Sequence, residues 1–583
     1  MLKTGLLALA LVMPVLCAAQ SAAQRLERLA ADAQERQLDL FPVGEIFSRG
    51  AGPRQDRFEL SYTAEHRERQ RAHQRWVLKE LESIPEAELG PSEKLTHALL
   101  AYRARDALEW LSHPFHHHVF IHLNGGVGFN LVQLANHQPL RSQADYRAWF
   151  RRLAQYPAFL ADIERVMREG MAAGITTPRI IVERTASQLE ALAPAEMERS
   201  SLWKPVPASI DAPTRAGLEH EYRKLLADEI FPALQRLAAF ARKEYLPRAR
   251  TTDGVGALPG GERLYRHAVR SATTTELTPD EIHQRGLAEV KRIQANFLSA
   301  MRKAGYEGPI SGVHRWLITN PQNYPFASAD EVIAHLNALH ARIVPQMPRL
   351  FGRMPKARFE IRLTDPAIAG SVPAQYYWPS DDGRPGIFYM PVVNPRRVST
   401  FSLAALLAHE GMPGHHMESL KFELKAPEFR RRLSLAAFSE GWALYAESLG
   451  HELGLYTEPL DLAGRYSMEL FRAGRLVVDT GLHAKGWTRE QAIRYLVDEC
   501  ARTEIGATNE VLRYMVWPGQ ALAYKLGELQ ILELRAKAER TLGPRFDLRA
   551  FHDAILEEGH LPMAILQQRI EAWIAAQERK RNL

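Results

Sequence analysis

Helix-start motifs and helical spacing of apolar residues run through this chain. Segments that begin at Thr278, Ser328 and Thr488 each place a Glu or Gln three residues after a hydroxyl residue, which is the pattern of a capping box. Between residues 215 and 245, apolar side chains recur at spacings of three and four, so they share one face of a helix. The sequence therefore predicts a mainly α-helical protein.

Two short segments are candidates for β-strands. Residues 358–363 alternate apolar and polar side chains, and residues 387–393 are rich in apolar and aromatic types. Because Pro391 cannot donate a ladder hydrogen bond, it makes the second segment an edge strand or shortens it to residues 387–390. We expect a small β element there, with a free edge to which an extended peptide could add.

The first 19 residues have the organisation of a secretory signal peptide. Lys3 supplies the positive charge, the stretch from Gly5 to Leu16 is apolar, and small residues follow, so cleavage is expected after about Ala19. The apolar stretch is shorter than the ~20 residues that a membrane span needs, and no transmembrane segment is expected elsewhere. A periplasmic or secreted location follows. Cys17 offers lipid anchoring as an alternative, which is less favoured because Leu16 stands where a lipobox has a small residue.

Cysteine content and charge narrow the class of protein further. Cys17 and Cys500 are the only cysteines, so removal of the signal peptide leaves Cys500 without an intrachain partner. The mature chain must therefore be held together by its core. The net charge of +6 comes from 74 basic and 68 acidic residues without a long basic run, so no nucleic-acid partner is expected. The sequence carries no signal for an oligomeric state.

We divide the 583 residues into a signal peptide (1–19), a mostly helical N-terminal region (20–385) and a catalytic helical region (386–583). The last two regions form one continuous domain. An apolar helix is predicted to begin near Ser399 or Thr400 and to end at His409 and Glu410.

This apolar helix leads into the segment with the clearest chemistry, His409-Glu410-Gly411-Met412-Pro413-Gly414-His415-His416. A His-Glu pair at the end of a buried helix is the core of the zincin signature. In that signature the His binds zinc and the Glu activates a water molecule. We therefore predict His409 as a zinc ligand and Glu410 as the general base.

The second histidine departs from the usual spacing of four. His415 and His416 lie six and seven residues after the first histidine, and neither spacing brings two ligands together in a regular helix. Pro413 must break or bulge the helix, and Gly411 and Gly414 can adopt the backbone angles of a tight bulge. Two looped-out residues would select His415, which we favour, and three would select His416. The alternative is a pair of ordinary polar histidines beside a proline kink.

A third ligand is expected from the segment at residues 439–447. Glu440 and Glu447 are seven residues apart and share a helix face. An acid on an otherwise apolar helix is costly to bury unless it meets a cation or a proton. Glu440 is the predicted ligand and Glu447 a supporting acid, against the alternative of a solvated acidic pair.

Two later segments are predicted to form walls of the site. Arg475, Asp479 and His483 align on one helical stripe, and His483 could donate to a developing oxyanion. Tyr524 could do the same from a helix on which Gly527 indicates the close approach of another element. The alternatives are an intrahelical ion pair with a capping histidine, and a tyrosine of the core.

The histidine-rich run at residues 113–118 could bind a metal weakly. We do not expect a metal site there, because no Cys or acid neighbours the run in the sequence. The glycines at residues 125–128 lack the spacing of a dinucleotide-binding loop.

Several of these segments resemble the bacterial family known as domain of unknown function 885. The resemblance covers nearly the whole mature chain and rests on residues 260–265, 277–283, 409–416, 440–447, 479–483, 513–514 and 518–527. That family is similar to gluzincin metallopeptidases such as thimet oligopeptidase and carboxypeptidase Taq. The resemblance implies a zincin-like helical metallopeptidase with a deep cleft and one zinc ion per chain at its base. It implies that His409, His415 and Glu440 hold the zinc.

The function predicted from these residues is that of a zinc-dependent peptidase acting on peptides or oligopeptides in the cell envelope. Glu410 would take a proton from the attacking water and pass it to the leaving amine, and Tyr524 or His483 would help to hold the oxyanion. A zinc hydrolase of another envelope amide is the first alternative. A metal- or peptide-binding protein without turnover is the second, and Glu410 argues against it because a binder needs no base.

Overall fold

A computed structural model of the chain describes residues 20–117, 126–365, 369, 373–379 and 383–579. The predicted signal peptide with Cys17, the last histidine of the 113–118 run and the first of the glycines at 125–128 lie outside the described residues. Among the described residues, none of the helices combines the length and the apolar character that a membrane span needs.

The described residues form a mainly α-helical protein with one small sheet, as predicted. In chain order the helices are α1 (Ala22–Leu40), α2 (Val43–Arg49), α3 (Ala64–Glu82), α4 (Pro91–Ser112), α5 (Val127–His137), α6 (Gln143–Leu153), α7 (Tyr156–Ala172), α8 (Arg179–Leu192), α9 (Ala212–Leu225), α10 (Phe231–Phe240), α11 (Gly261–Thr273), α12 (Pro279–Lys303), α13 (Val313–Thr319), α14 (Ala329–Ile343), α15 (Leu403–Glu410), α16 (Glu428–Arg432), α17 (Ala436–Ser448), α18 (Pro459–Ala484), α19 (Arg489–Cys500), α20 (Glu504–Val516), α21 (Ala523–Leu542), α22 (Leu548–Leu556) and α23 (Met563–Arg579). The strands are β1 (Phe359–Leu363), β2 (Gln375–Tyr377) and β3 (Gly386–Met390).

The three predicted helix starts are present. Thr278 and Thr488 form complete capping boxes at the N-termini of α12 and α19. Ser328 caps α14 by accepting a hydrogen bond from the backbone of Glu331. The carboxylate of Glu331 accepts from the amide of Ala327 rather than from that of Ser328, so the third box is only half formed.

The sheet has the strand order β1–β3–β2, with β3 parallel to β1 and antiparallel to β2. Both predicted strands are present, and β3 ends at Met390, before Pro391, as expected. The prediction of a free edge at residues 387–390 is wrong, because β2 pairs with β3 on that side. Strand β2 spans only three residues and was not predicted from the sequence.

Three large hydrophobic cores hold the helices together. The largest joins α1, α3 and α4 to elements from α14 to α23, so it takes residues from both sides of residue 385. The second lies among α5 to α10, and the third among α12, α18, α19 and α20. Cys500 is buried in the third core as a free thiol, as expected for a chain held by its core.

Helices α17 and α21 cross with a glycine from each at the contact. A Cβ atom on Gly527 would overlap the carbonyl oxygen of Ala437 and lie 2.8 Å from the Cα of Gly441. Close packing at Gly527 is therefore confirmed. Because Glu440 precedes one glycine and Tyr524 lies one turn before the other, the crossing brings these two side chains to the same region.

We expect Gly527→Ala to lower the free energy of unfolding by about 1–3 kcal/mol, since the added methyl forces α17 and α21 apart. Gly217→Ala is the matched control, because Gly217 lies within α9 with no atom near the position of a Cβ. This control should raise stability by roughly 0.5–1 kcal/mol, as Ala favours helix over Gly. Urea unfolding followed by circular dichroism measures both. Equal effects of the two substitutions would contradict the close crossing.

Candidate metal centre

A backbone hydrogen bond brings the second histidine beside the first. Helix α15 ends at Glu410, and the amide of His415 donates to the carbonyl oxygen of His409 at 2.9 Å. In a regular helix that carbonyl would accept from the residue four positions on. His415 therefore takes the place of that residue, with two residues looped out as predicted.

Both glycines of the loop have a structural role. A Cβ on Gly414 would overlap the carbonyl oxygens of Ala408 and His409. Neither glycine has a positive φ, but Gly411 has φ −104° and ψ −128°, which lie outside the helical and extended regions. The Met412–Pro413 peptide bond within the loop is cis.

His409, His415 and Glu440 form a cluster that could hold a metal ion. Their nearest ligand-type atoms all lie within 4.8 Å of one another. The Glu440 carboxylate oxygen Oε2 is 3.4 Å from Nε2 of His409 and 3.7 Å from Nε2 of His415. A tetrahedral zinc ion with ligands at ~2.0–2.1 Å separates its donor atoms by roughly 3.3–3.5 Å. The donor set thus fits the ion predicted from the sequence.

Carboxylates fix the orientation of both histidine rings. Nδ1 of His409 donates to Glu447 at 2.9 Å, and Nδ1 of His415 donates to Glu418 at 2.8 Å. With the proton on Nδ1, each ring directs the Nε2 lone pair towards Glu440. Carboxylate partners of this kind set the tautomer of metal-binding histidines and raise their basicity. Glu447 has the supporting place predicted for it.

The partner of His415 belongs to a buried chain of polar groups that the sequence analysis missed. Nδ1 of His560 accepts from the amide of Leu435 at 3.2 Å, so Nε2 carries the proton, and this nitrogen lies 2.6 Å from Oε2 of Glu418. The hydroxyl of Ser439 also donates to Glu418, at 3.1 Å. Glu418 follows His415 by three residues, a spacing that could have drawn attention to it, whereas His560 carried no local signal.

The charges of the cluster leave it as an ion pair when no metal is bound. Burial opposes ionisation of His409, but hydrogen bonds to Glu440 and Glu447 outweigh it and raise the pKa of His409 to about 9. Burial likewise opposes ionisation of Glu440, but the two histidines lower the pKa of its carboxyl to about 2. A divalent cation would take the place of the proton on His409.

Glu410 lies next to the cluster without a partner of its own. Its side chain is buried, and burial raises the pKa of its carboxyl, although the two histidines lower it in part. Among the described residues, none donates a hydrogen bond to this carboxylate. It is therefore available to a water molecule or a substrate.

Tyr524 lies where the sequence predicted a wall of the site. Its hydroxyl lies close to the carboxylate of Glu440 and to the guanidinium of Arg513. The guanidinium carbon of Arg475 lies 4.3 Å from the centroid of the Tyr524 ring. Arg513 also lines a cavity of about 660 Å³ whose other walls include Gln375 and Tyr377 of β2 and aromatic residues of the second core. Arg513 is the residue that this cavity shares with the surroundings of Tyr524.

The prediction of a catalytic role for His483 is wrong. Its Nε2 donates to the carbonyl oxygen of Tyr514 at 3.0 Å, and its Nδ1 accepts from the amide of Val255 at 3.1 Å. With both nitrogens held by the backbone, the ring cannot donate to an oxyanion. Asp479, on the same stripe, accepts from Tyr265 and Gly519 instead of pairing along the helix.

His416, the alternative second ligand, points away from the cluster. Its Nδ1 is 2.8 Å from the hydroxyl of Tyr376, and its Nε2 is 3.1 Å from the carbonyl oxygen of Ala357. The structure therefore brings His415, and not His416, to His409.

Comparison with known proteins gives a family and a shared fold. A family model described as "Bacterial protein of unknown function (DUF885)" matches residues 46–570. No curated protein matches the chain. The chain is similar to a solved structure described as "the putative lipoprotein from Colwellia psychrerythraea", with 28% sequence identity, 95% of this chain and 100% of that chain covered, and a TM-score of 0.87. A second, "a putative lipoprotein of unknown function from Shewanella oneidensis", has 18% identity, covers 94% of this chain and 99% of that chain, and has a TM-score of 0.73.

We expect Glu447→Gln and Glu418→Gln each to weaken Zn²⁺ binding roughly 10–100-fold, because each replaces the charged carboxylate that orients a ligand histidine with a neutral amide. Competition with a chromophoric chelator measures the affinity. Glu539→Gln, which alters an exposed pair with Arg535, should leave it unchanged. Wild-type affinity in both test variants would contradict the orienting role.

Zn²⁺ binding should release at least one proton per ion at pH 7, because His409 is protonated below about pH 9 in the metal-free protein and must lose that proton to ligate. The apparent affinity should then rise about tenfold per pH unit up to about pH 9 and level off above it. Calorimetry in two buffers of different ionisation enthalpy counts the protons. Binding without proton release, and with a flat pH profile, would contradict the ion-pair description.

Proposed function

The chain belongs to the bacterial family of unknown function DUF885, and from that premise and the geometry of the site we propose that it is a zinc-dependent peptidase. Its substrates would be peptides or oligopeptides of the cell envelope, hydrolysed in a zincin-like site that resembles those of gluzincins. The single observation that carries the proposal is the convergence of His409, His415 and Glu440, with the unpartnered carboxylate of Glu410 beside them.

His409 and His415, through Nε2, and Glu440, through its carboxylate, would hold the zinc. Two imidazoles and one carboxylate are a common catalytic ligand set, which leaves a position open for water or substrate. When bound, zinc acts as a Lewis acid that polarises a carbonyl group and brings the pKa of a water molecule towards neutrality. Glu418 and Glu447 keep both imidazoles in the tautomer that can ligate.

Glu410 would move the proton in the reaction. It follows His409 directly on α15 and carries no hydrogen bond from another described residue. Because burial raises the pKa of its carboxyl, it can accept a proton from water near neutral pH and pass it to the leaving amine. A binding protein without turnover would gain nothing from such a group.

Tyr524 and Arg513 would stabilise the negative charge that develops on the substrate carbonyl oxygen. The hydroxyl of Tyr524 lies close to the carboxylate of Glu440. The guanidinium of Arg513 lies close to that hydroxyl and adds a fixed positive charge. Preoriented donors of this kind act strongly in a site from which water is excluded. The cavity beside Arg513 is the space through which we propose that a peptide reaches them.

We also propose that the protein works in the cell envelope. The predicted signal peptide directs the chain out of the cytoplasm. The similar protein from Colwellia psychrerythraea is described as a "putative lipoprotein", which favours attachment through Cys17 despite the large Leu16 before it.

We expect Glu410→Gln to reduce peptide hydrolysis by roughly 10²–10⁴-fold, since it removes the proton acceptor and keeps the shape of the side chain. The zinc content should not change, because Glu410 is not in the ligand cluster. Mass spectrometry of a mixed peptide pool incubated with each protein measures the products, and their ends show whether cleavage is terminal or internal. Glu539→Gln, at an exposed pair, serves as the matched control.

Cleavage by the wild type and by Glu539→Gln, but not by Glu410→Gln, supports the proposal. An intact pool in all three samples, with zinc bound in stoichiometric amount, contradicts the peptidase function. Parallel incubation with cell-wall fragments then reports whether another envelope amide is the substrate.

A further inference from the structure

A second cluster of metal-binding side chains lies between the end of α4 and α11. Asp106 and Glu109 belong to α4, His113 follows that helix directly, and His267 lies on α11. The nearest ligand-type atoms of Glu109, His113 and His267 all lie within 4.8 Å of one another. The acids precede His113 by four and seven residues, at helical spacing, and His267 comes from a distant part of the chain.

The histidines of this cluster are buried with nitrogens that lack partners. His113 is 4% exposed and His267 is 1% exposed. Three of their ring nitrogens have no hydrogen-bond partner among the described residues: Nδ1 and Nε2 of His113, and Nδ1 of His267. A buried polar atom without a partner costs about 1–3 kcal/mol. Three such atoms on two adjacent rings are therefore unexplained by packing alone.

The distances in this cluster are similar to those of the first, although the rings of His113 and His267 are inclined by 19° and those of His409 and His415 by 84°. Nε2 of His267 lies 3.0 Å from Oδ1 of Asp106 and 3.8 Å from Oε2 of Glu109. The ring centroids of His113 and His267 are 5.1 Å apart, and those of His409 and His415 are 5.0 Å apart. Two imidazoles on one tetrahedral zinc ion, with Zn–N distances of ~2.0 Å, have centroids roughly 5 Å apart.

We propose that His113, His267 and Glu109, with Asp106 beside them, form a second site for a divalent transition-metal ion, zinc by preference. Imidazole with carboxylate is a donor set that suits zinc. The ion would join the end of α4 to α11, with Nε2 of His267, which faces the two acids, as one donor and one of the unpartnered nitrogens of His113 as another. The proposal rests on this cluster alone and does not depend on the peptidase function.

The surroundings of the cluster fit a constructed site. The hydroxyl of Ser271, one turn after His267 on α11, donates to Asp106 at 3.1 Å and accepts from the indole nitrogen of Trp110 at 3.0 Å. These bonds hold the carboxylate in place, as outer hydrogen bonds do around metal ligands. Arg270 pairs with Glu109, so a metal ion must share that carboxylate with a guanidinium.

The second cluster lies on a cavity that also borders α17, the helix that carries Glu440. Asp106 and His113 line a cavity of about 870 Å³ whose wall also includes Ala436, the first residue of α17. Glu440 lies one turn further along α17. An ion that fixes α4 to α11 would therefore stabilise a wall of the space next to the helix that carries Glu440.

The test is the metal content of the full-length protein and of three variants. Each is loaded with Zn²⁺, freed of excess metal by gel filtration, and analysed by inductively coupled plasma mass spectrometry. We expect two ions per chain in the wild type, one in the double variant His113→Gln/His267→Gln, and one in His409→Gln/His415→Gln. His73→Gln is the matched control and should keep two, because His73 is also buried on this cavity with an unpartnered nitrogen but has arginines as its charged neighbours.

The variants separate the two sites. Either of two results would overturn the second site. One is that His113→Gln/His267→Gln still binds two ions. The other is that the wild type binds a single ion, which is lost only when His409 and His415 are replaced. A single wild-type ion lost only with His113 and His267 would support it and overturn the proposed catalytic zinc. Should the double variant fail to fold, Asp106→Asn replaces it. With the fold kept, we expect roughly 10–100-fold weaker binding of one ion, and unchanged affinity would overturn the proposal.

Discussion

The hydrogen bond from the amide of His415 to the carbonyl oxygen of His409 determines what the rest of the site can do. It closes the end of α15 with two residues looped out. His409 and His415, six residues apart in the sequence, are therefore placed like residues one helical turn apart. Without a residue as small as Gly414, the carbonyl groups of α15 would block this contact. The metal cluster therefore depends on a backbone contact more than on any charged group.

Three further constraints keep the cluster in a single arrangement. The glycine crossing of α17 and α21 sets the distance between Glu440 and Tyr524. Glu447 and Glu418 each fix one imidazole and are themselves buried. Taking such charges out of water is costly unless each has partners with good geometry. Glu447 and Glu418 each meet a histidine, and the histidine protons offset part of the negative charge until a cation replaces them.

The sequence predicted the local features well and the distant ones poorly. The helix of His409, the bulge that selects His415, the facing pair Glu440 and Glu447, and the contact at Gly527 all follow from spacing or from residue size. The polar chain through His560 and the cluster of His267 with His113 depend on contacts between residues far apart in the chain, which no local pattern encodes. The predicted catalytic role of His483 was wrong because alignment on a helix face does not show what each ring nitrogen binds. Both nitrogens hydrogen-bond to the backbone, at Val255 and at Tyr514.

Anomalous X-ray diffraction at the zinc edge, from crystals of the zinc-loaded protein, would locate the metal. We expect an anomalous peak bounded by Nε2 of His409, Nε2 of His415 and the carboxylate of Glu440, with Glu410 beside it but not ligated. No peak at this position, or a peak ligated by His416 in place of His415, would contradict the metal centre on which the proposed function depends.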